Sequence, residues 1–213
     1  MNANKLTEEQ LLANVDKFYS LIDKYIPGER GKKLKDFYKT IEETLAFSPA
    51  SSKIDNHNCF VGGYLDHVIR VTEGALVMEK VWDIFGQKKT YTTEELVFSA
   101  INHDLGKLGT NDQPMYLPND SQWHIEKQGA LYKYNSNLTY MRIADRSLFY
   151  LQKAGIAVTE NEFIAIKIHD GLYEEANKTY YMSFSPDNRL RSTLPYILHQ
   201  ADLMASQIEN QHK

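Results

Sequence analysis

The stretch Ile101-Asn102-His103-Asp104-Leu105-Gly106-Lys107 follows directly on an apolar run over residues 96–100. Such a run favours burial, so the histidine and the carboxylate lie at the inner end of a buried element. An unpaired carboxylate in that place is costly unless a cation or a hydrogen-bond donor compensates it. Histidine and aspartate are both metal-ligating side chains, so this stretch favours a bound metal ion as the compensation.

Apolar residues recur at helical spacing on both sides of this stretch. Helix starts are indicated by Thr7 with Gln10 at the reciprocal capping position, by residues 92–95 and by residues 159–162. The spacing predicts helices that begin at Thr7 and at residues 62–63 and that span residues 30–47, 96–104, 145–154, 159–168 and 191–207. The composition does not change along the chain, which predicts a single domain over residues 1–213.

Two segments do not show this helical pattern. Residues 110–123 are rich in Asn, Asp and Pro, which predicts a long ordered loop with His124 at its exit, and long ordered loops are often functional. Residues 179–184 predict either a short strand or an extended aromatic loop. Both segments border the motifs described below.

The composition is that of an ordinary globular protein, with 42% hydrophobic and 24% charged residues. The formal net charge of −4 supplies no basic field, which argues against a broad nucleic-acid-binding surface. Cys59 is the only cysteine, so no intrachain disulfide is possible. The N-terminus is not apolar and no window reaches the length of a membrane span, so we expect a cytoplasmic protein without a membrane partner.

Four metal-capable side chains lie within otherwise apolar helical segments: His67, His103, Asp104 and Asp202. Imidazole nitrogens with carboxylate oxygens suit zinc, manganese, iron, cobalt or nickel, and less typically magnesium. These residues are far apart in the chain, so they meet only if their helices pack together. The chain has seven histidines, which offer many other combinations, so spacing alone does not settle the ligand set.

Three motifs contain these four residues: Gly62-Gly63-Tyr64-Leu65-Asp66-His67, residues 98–107, and Leu198-His199-Gln200-Ala201-Asp202-Leu203. Together they resemble the signature elements of the HD-domain superfamily of metal-dependent phosphohydrolases. The resemblance implies an all-α helical bundle around a metal site, with an HD core at residues 60–206. Residues 1–50 are then an N-terminal helical extension packed on that core. The resemblance also implies His67, His103, Asp104 and Asp202 as the metal ligands.

A fourth segment, His169-Asp170-Gly171, is similar to a histidine–glycine element that some HD proteins carry before the last aspartate. Branches with two metals hold the second ion with further histidines. Where similar proteins have a histidine before an acidic residue and Arg-Ser-Leu, this chain has Ala144. Alanine has no ligand atom, so the expectation is one divalent ion, whose identity stays open among Mn, Co, Ni, Fe, Zn and Mg.

The resemblance implies hydrolysis of a small-molecule phosphate ester, with a nucleotide as the expected substrate, by metal-activated water. Asp104 is expected to orient the water and Lys107 to neutralise a phosphate. His169 and His124 are expected to bind phosphate oxygens or to protonate the leaving group. The choice among phosphomonoesterase, deoxynucleotide triphosphohydrolase and phosphodiesterase stays open.

Other interpretations compete with this one. The chain could be a non-catalytic protein that binds a nucleotide or a structural metal. A two-iron oxygenase on an HD-type scaffold requires more ligands than Ala144 permits. His57 and Cys59 could form a nucleophile pair, but no neighbouring residue orients them. An ordinary loop histidine is therefore the favoured interpretation of His57. Tyr173, Tyr180 and Tyr181 could stack a base or simply pack.

Overall fold

The computed structural model describes residues 6–110, 113–183 and 185–211. In these ranges the chain forms ten α-helices, short 3-10 turns and one small antiparallel sheet, which confirms the predicted all-α class. The helices are α1 Glu8–Tyr25, α2 Gly28–Lys39, α3 Glu42–Phe47, α4 Gly63–Ile84, α5 Thr93–Asn102, α6 Gln122–Gln128, α7 Ile143–Lys153, α8 Glu160–Lys167, α9 Lys178–Tyr181 and α10 Leu194–Asn210, and the strands are β1 Tyr116–Pro118 and β2 Tyr132–Tyr134.

Four helices, α4, α5, α8 and α10, pack against one another and form the centre of the bundle. Small residues line the surface where α4 meets α10, and Gly74 faces Ala201 and the end of the Met204 side chain. A Cβ atom at Gly74 would lie 3.7 Å from Ala201 Cβ, which is ordinary van der Waals contact, so the two helices pack closely here. This packing brings α10 close to the first turns of α4.

The N-terminal helices share a hydrophobic core with this centre. Phe18, Ile22 and Tyr38 are fully buried in one cluster with Leu65 and Phe98 of α4 and α5. α1 lies against both α4 and α5, and α3 lies against α4. α1–α3 thus share buried side chains with the helices of this centre.

Tyr38 also reaches the segment that contains the motif. Its buried hydroxyl group donates a hydrogen bond to Asn102 Oδ1 at 2.9 Å. Asn102 in turn donates to the Phe98 carbonyl one helical turn earlier. The N-terminal helices therefore hold the residue directly before His103.

The predicted helix starts at Thr7, Thr92 and Thr159 are confirmed. Each threonine accepts a hydrogen bond from the backbone N–H three residues later, and the Gln or Glu at that position bonds back to the threonine N–H. Satisfying two otherwise unpaired donors at a helix end stabilises that end. The start of α4 at residues 62–63 also agrees with the expectation.

The single helix predicted over residues 30–47 is wrong, because α2 and α3 are separate. At the break the backbone N–H groups of Thr40 and Ile41 bond three residues back, to Phe37 and Tyr38. Thr40 also donates its hydroxyl to the Phe37 carbonyl. This tighter turn redirects the chain so that Ile41 and Leu45 both reach the core.

The two irregular segments also differ from expectation. Within the predicted loop, β1 pairs with β2, and α6 begins at Gln122; Asn111 and Asp112 lie outside the described residues. Residues 178–181 form the short helix α9 instead of a strand or an extended loop, and Phe184 lies outside the described residues. Local composition missed both because these elements are very short and depend on tertiary contacts. None of the helices in the described ranges is long and apolar enough to cross a membrane.

We expect Ile22→Ala to destabilise the whole chain by about 2–5 kcal/mol, because it opens a cavity in the core that α1 shares with α4 and α5. Leu12→Ala on the same helix is the matched control, since Leu12 is 61% exposed. Chemical denaturation followed by circular dichroism measures both. An Ile22→Ala variant as stable as Leu12→Ala would show that α1 does not contribute to the shared core.

Candidate metal centre

α4 places His67 at the inner end of the bundle. The helix begins at a left-handed residue, Gly62 (φ 82°), and at Gly63, where a Cβ atom would lie 2.1 Å from the Asn58 carbonyl oxygen. Glycine is therefore required for the chain to turn this closely into the helix. His67 follows one turn later and is fully buried.

α5 ends at Asn102 instead of residue 104, so His103 and Asp104 lie in the turn that follows it. Ser147 of α7 fixes this turn from outside. Its hydroxyl group donates to the His103 carbonyl at 3.0 Å and accepts from the Gly106 N–H at 2.8 Å. His103 is 0% exposed and Asp104 is 3% exposed. The turn leaves both side chains directed into the bundle.

His169 lies two residues beyond the end of α8, and Asp202 lies in the middle of α10. Gly171 (φ 57°) packs directly on the ring of His199, where a Cβ atom would lie 2.2 Å from His199 Cε1. His199 Nδ1 donates to the His169 carbonyl at 2.8 Å. The glycine after His169 thus allows α10 to hold the His169 backbone.

The structure brings together the four residues that were expected to bind metal. Asp104 Oδ2 lies 3.6 Å from His67 Nε2 and 3.4 Å from His103 Nε2. Asp202 Oδ1 lies 3.2 Å and 3.9 Å from the same two nitrogens. Atoms that share an ion at bond lengths of about 2.1 Å are about 3–3.5 Å apart. The observed separations are close to that spacing.

His169 joins the cluster from the other side of Asp104. Its Nε2 lies 3.5 Å from Asp104 Oδ1, whereas His67 and His103 face Oδ2. His169 is 1% exposed, so this contact is shielded from solvent. Asp104 therefore uses its two oxygens toward different histidines.

In His103 and His169, the Nδ1 atom of the ring has a hydrogen-bond acceptor of its own. His103 Nδ1 donates to the Ala100 carbonyl at 2.7 Å, and His169 Nδ1 donates to the Ile166 carbonyl at 2.8 Å. A carbonyl oxygen only accepts, so both rings carry a proton on Nδ1. Their Nε2 atoms then face the carboxylates as the nitrogens available for a ligand.

The Nε2 atoms of His67 and His103 are buried, and neither makes a hydrogen bond within the part of the chain that the structure describes. Buried polar atoms are normally satisfied, so two such atoms in one cluster point to a missing partner. Groups drawn from His67, His103, Asp104, His169 and Asp202 could hold a metal ion. The donor set of nitrogen and carboxylate oxygen fits a divalent transition metal.

The charges in the cluster shift the pKa values of its side chains. Burial lowers the pKa of His67, but Glu209 and Asp202 outweigh burial and raise it to about 10. Burial likewise opposes ionisation of Asp104, but Lys107 and His103 hold the pKa of that carboxyl well below its usual range. The cluster thus strongly favours ionised carboxylates, which are the form that binds a cation.

Lys107 lies where the sequence places it, one turn after Asp104 on a 3-10 helix at Leu105–Leu108. Its Nζ is 2.6 Å from Asp104 Oδ2, and the residue is 8% exposed. Burial lowers the pKa of Lys107, but the Asp104 carboxylate outweighs it and raises the pKa. A charged ammonium group is therefore held at the edge of the cluster.

His57 belongs to this site, although the sequence interpretation favoured an ordinary loop histidine. Its ring lies 4.6 Å from the ring of His67, and its Nε2 is 3.5 Å from Lys107 Nζ. Burial and the Lys107 ammonium group lower the pKa of His57 to about 2, so the ring is neutral and can accept from Lys107. No local spacing reveals this residue, because a loop carries it to the cluster.

Glu209 is a second residue that the sequence interpretation missed. Its carboxylate contacts His67 Nδ1 at 3.0 Å. Glu209 lies seven positions after Asp202 on the same helix, which places both carboxylates on one face of α10. That spacing is the signal that could have found it.

Among the described residues, His124 is not part of any group that could hold a metal ion. It lies on α6, is exposed, and its ring Nδ1 bonds to Ser121 Oγ at 2.6 Å. The expected catalytic role of His124 has no support from this position. Ala144 is buried in α7 and contributes no ligand atom.

The geometry of the centre thus rests on helices from four parts of the chain. Comparisons with protein-family models, with curated proteins and with solved structures gave no match to this chain.

Proposed function

We propose that this protein is a metal-dependent phosphohydrolase of the HD type that acts on a nucleotide or a related small phosphate ester. The observation that supports it is the convergence of two buried, unbonded imidazole nitrogens, of His67 and His103, on the carboxylates of Asp104 and Asp202. In the proposal these four side chains hold one divalent ion, of Mn, Co, Ni, Fe, Zn or Mg. Such an ion supplies Lewis-acid activation of water and of a phosphoryl oxygen.

Hydrolysis places the oxygen of water on phosphorus and returns one proton to the leaving oxygen. Asp104 is suited to orient the water, since its Oδ1 faces away from His67 and His103 toward His169. Burial lowers the pKa of His169, but Asp170 and Asp104 outweigh burial and raise it to about 9. Because Nδ1 is fixed on a backbone carbonyl, Nε2 of the protonated ring is the nitrogen that can hand its proton to the leaving group. Burial of both side chains keeps bulk water away from this exchange.

Lys107 supplies the positive charge that a phosphate needs. Its ammonium group is buried between Asp104 and His57, and neutral His57 does not compete with it for an anion. A preorganised cation in a poorly solvated site stabilises developing negative charge more than it would in water. The pair of Lys107 and His57 therefore forms the proposed phosphate-binding side of the centre.

We expect the purified protein to bind about one equivalent of divalent metal per chain, and Asp104→Asn and Asp202→Asn to lose it, because each removes a charged ligand. Metal analysis after dialysis measures this. Asp36→Asn is the control, since Asp36 is an exposed carboxylate on α2 paired only with Lys32 in the contacts described. Full metal content in both cluster variants would exclude the proposed ligands.

We expect the wild-type protein to hydrolyse at least one nucleotide when nucleoside mono-, di- and triphosphates and cyclic nucleotides are screened with manganese, cobalt and magnesium. Lys107→Met should lower kcat/KM by about 100-fold or more, because it removes the charge that faces the phosphate. Lys32→Met changes an exposed lysine on α2 and should leave the activity unchanged.

Phosphate release and product chromatography measure the turnover. If no phosphate ester is hydrolysed with any of these metals, the phosphohydrolase proposal fails. Tight nucleotide binding without product would instead favour the alternative, a non-catalytic protein that binds a nucleotide and a metal.

A further inference from the structure

α10 contributes two carboxylates to one imidazole ring. Asp202 Oδ1 lies 3.2 Å from His67 Nε2, and Glu209 Oε2 and Oε1 lie 3.0 and 3.3 Å from His67 Nδ1. The Glu209 side chain is 1% exposed. His67 is thus held from both ring nitrogens by a single helix that faces it.

The other two histidines of the cluster are held differently. His103 and His169 each donate from Nδ1 to the backbone carbonyl three residues earlier. A carbonyl is a neutral acceptor, whereas a carboxylate is charged and forms the stronger bond. Among the rings of His67, His103 and His169, only that of His67 therefore has its Nδ1 atom against a fully charged acceptor.

Glu209 is itself fixed in place by charge. Its Oε1 accepts from Arg70 Nε at 3.0 Å, and Arg70 Nη2 bonds to Asp66 Oδ2 at 3.0 Å. Asp66 also accepts from Asn58 Nδ2 at 2.9 Å. The carboxylate cannot rotate away from His67 without losing its bond to Arg70, so its orientation toward the ring is set by the surrounding network.

A carboxylate behind a metal-binding imidazole does two things. It fixes the ring with Nδ1 protonated and Nε2 directed at the ion, and it increases the electron density that Nε2 donates. Neither effect requires the carboxylate to touch the ion or the substrate. Both effects strengthen the metal site.

We propose that Glu209 is a positioning residue that orients His67 and strengthens its Nε2 as a metal ligand. The inference rests on the proposed metal site, which it deepens by assigning His67 a carboxylate partner outside the expected ligand set. None of the three motifs contains Glu209, which lies beyond the expected core of residues 60–206.

Cobalt(II) binding to the full chain tests this proposal, because the visible absorption of the ion reports both its affinity and its ligands. We expect Glu209→Leu to weaken cobalt binding about 10–100-fold, in the range found for such outer partners. Glu209→Gln keeps an acceptor for His67 Nδ1 without the charge, so it should lie between Glu209→Leu and the wild type. Both changes should also shift the cobalt absorption bands.

Glu79→Gln is the matched control. Glu79 is also a buried, ion-paired carboxylate on the bundle, but its partners are Lys89 and Thr93. Circular dichroism and thermal unfolding establish that each variant is folded, and Glu209→Gln remains informative where Glu209→Leu is not folded. We expect Glu79→Gln to bind cobalt like the wild type.

The outcomes separate the two proposals. If the wild type binds cobalt and both Glu209 variants bind it equally well with unchanged bands, the positioning role is overturned while the metal site stands. A lower Tm without any change in cobalt affinity also overturns it, because that result describes a structural residue. If the wild type does not bind cobalt, nickel, manganese or zinc, the metal site fails and the inference fails with it.

Discussion

The negative charge of Asp104 is the constraint on which the rest of the centre depends. The carboxylate is almost fully buried, and burial of an uncompensated charge costs several kcal/mol. Lys107, His103, His67 and His169 all lie within 3.6 Å of its oxygens. His103 and Lys107 are near neighbours of Asp104 in the chain, whereas His67 and His169 reach its oxygens only when the helices have packed.

The helix packing explains why this balance is possible. α4, α5, α8 and α10 meet closely because small residues such as Gly74 and Ala201 line the surfaces between them. Long side chains at those positions would separate α4 from α10 and move His67 away from Asp202. The N-terminal helices add rigidity, since Tyr38 holds Asn102 beside His103. In this way residues outside the expected core still position a member of the cluster.

The histidine contacts show how one ligand set can contain unequal members. His103 and His169 are oriented by their own helices through backbone carbonyls, which any sequence with a helix end at that point provides. His67 is oriented by Glu209 of a different helix. Its partner is therefore determined by how α4 and α10 cross, and it depends on tertiary packing in a way that the other two do not.

The sequence by itself determined the helices with threonine caps and the helical class, because capping and apolar spacing are patterns within a few neighbouring residues. The four residues that meet at the centre were singled out by the resemblance of their motifs to those of the HD-domain superfamily, since spacing alone did not settle that set. Only the tertiary structure decided the break between α2 and α3, the pairing of β1 with β2, and the places of His57, Glu209 and His124. Loop paths and helix crossings bring His57 and Glu209 to His67 and keep His124 exposed on α6. Contacts between residues far apart in the chain leave no local pattern, because they depend on how whole helices pack.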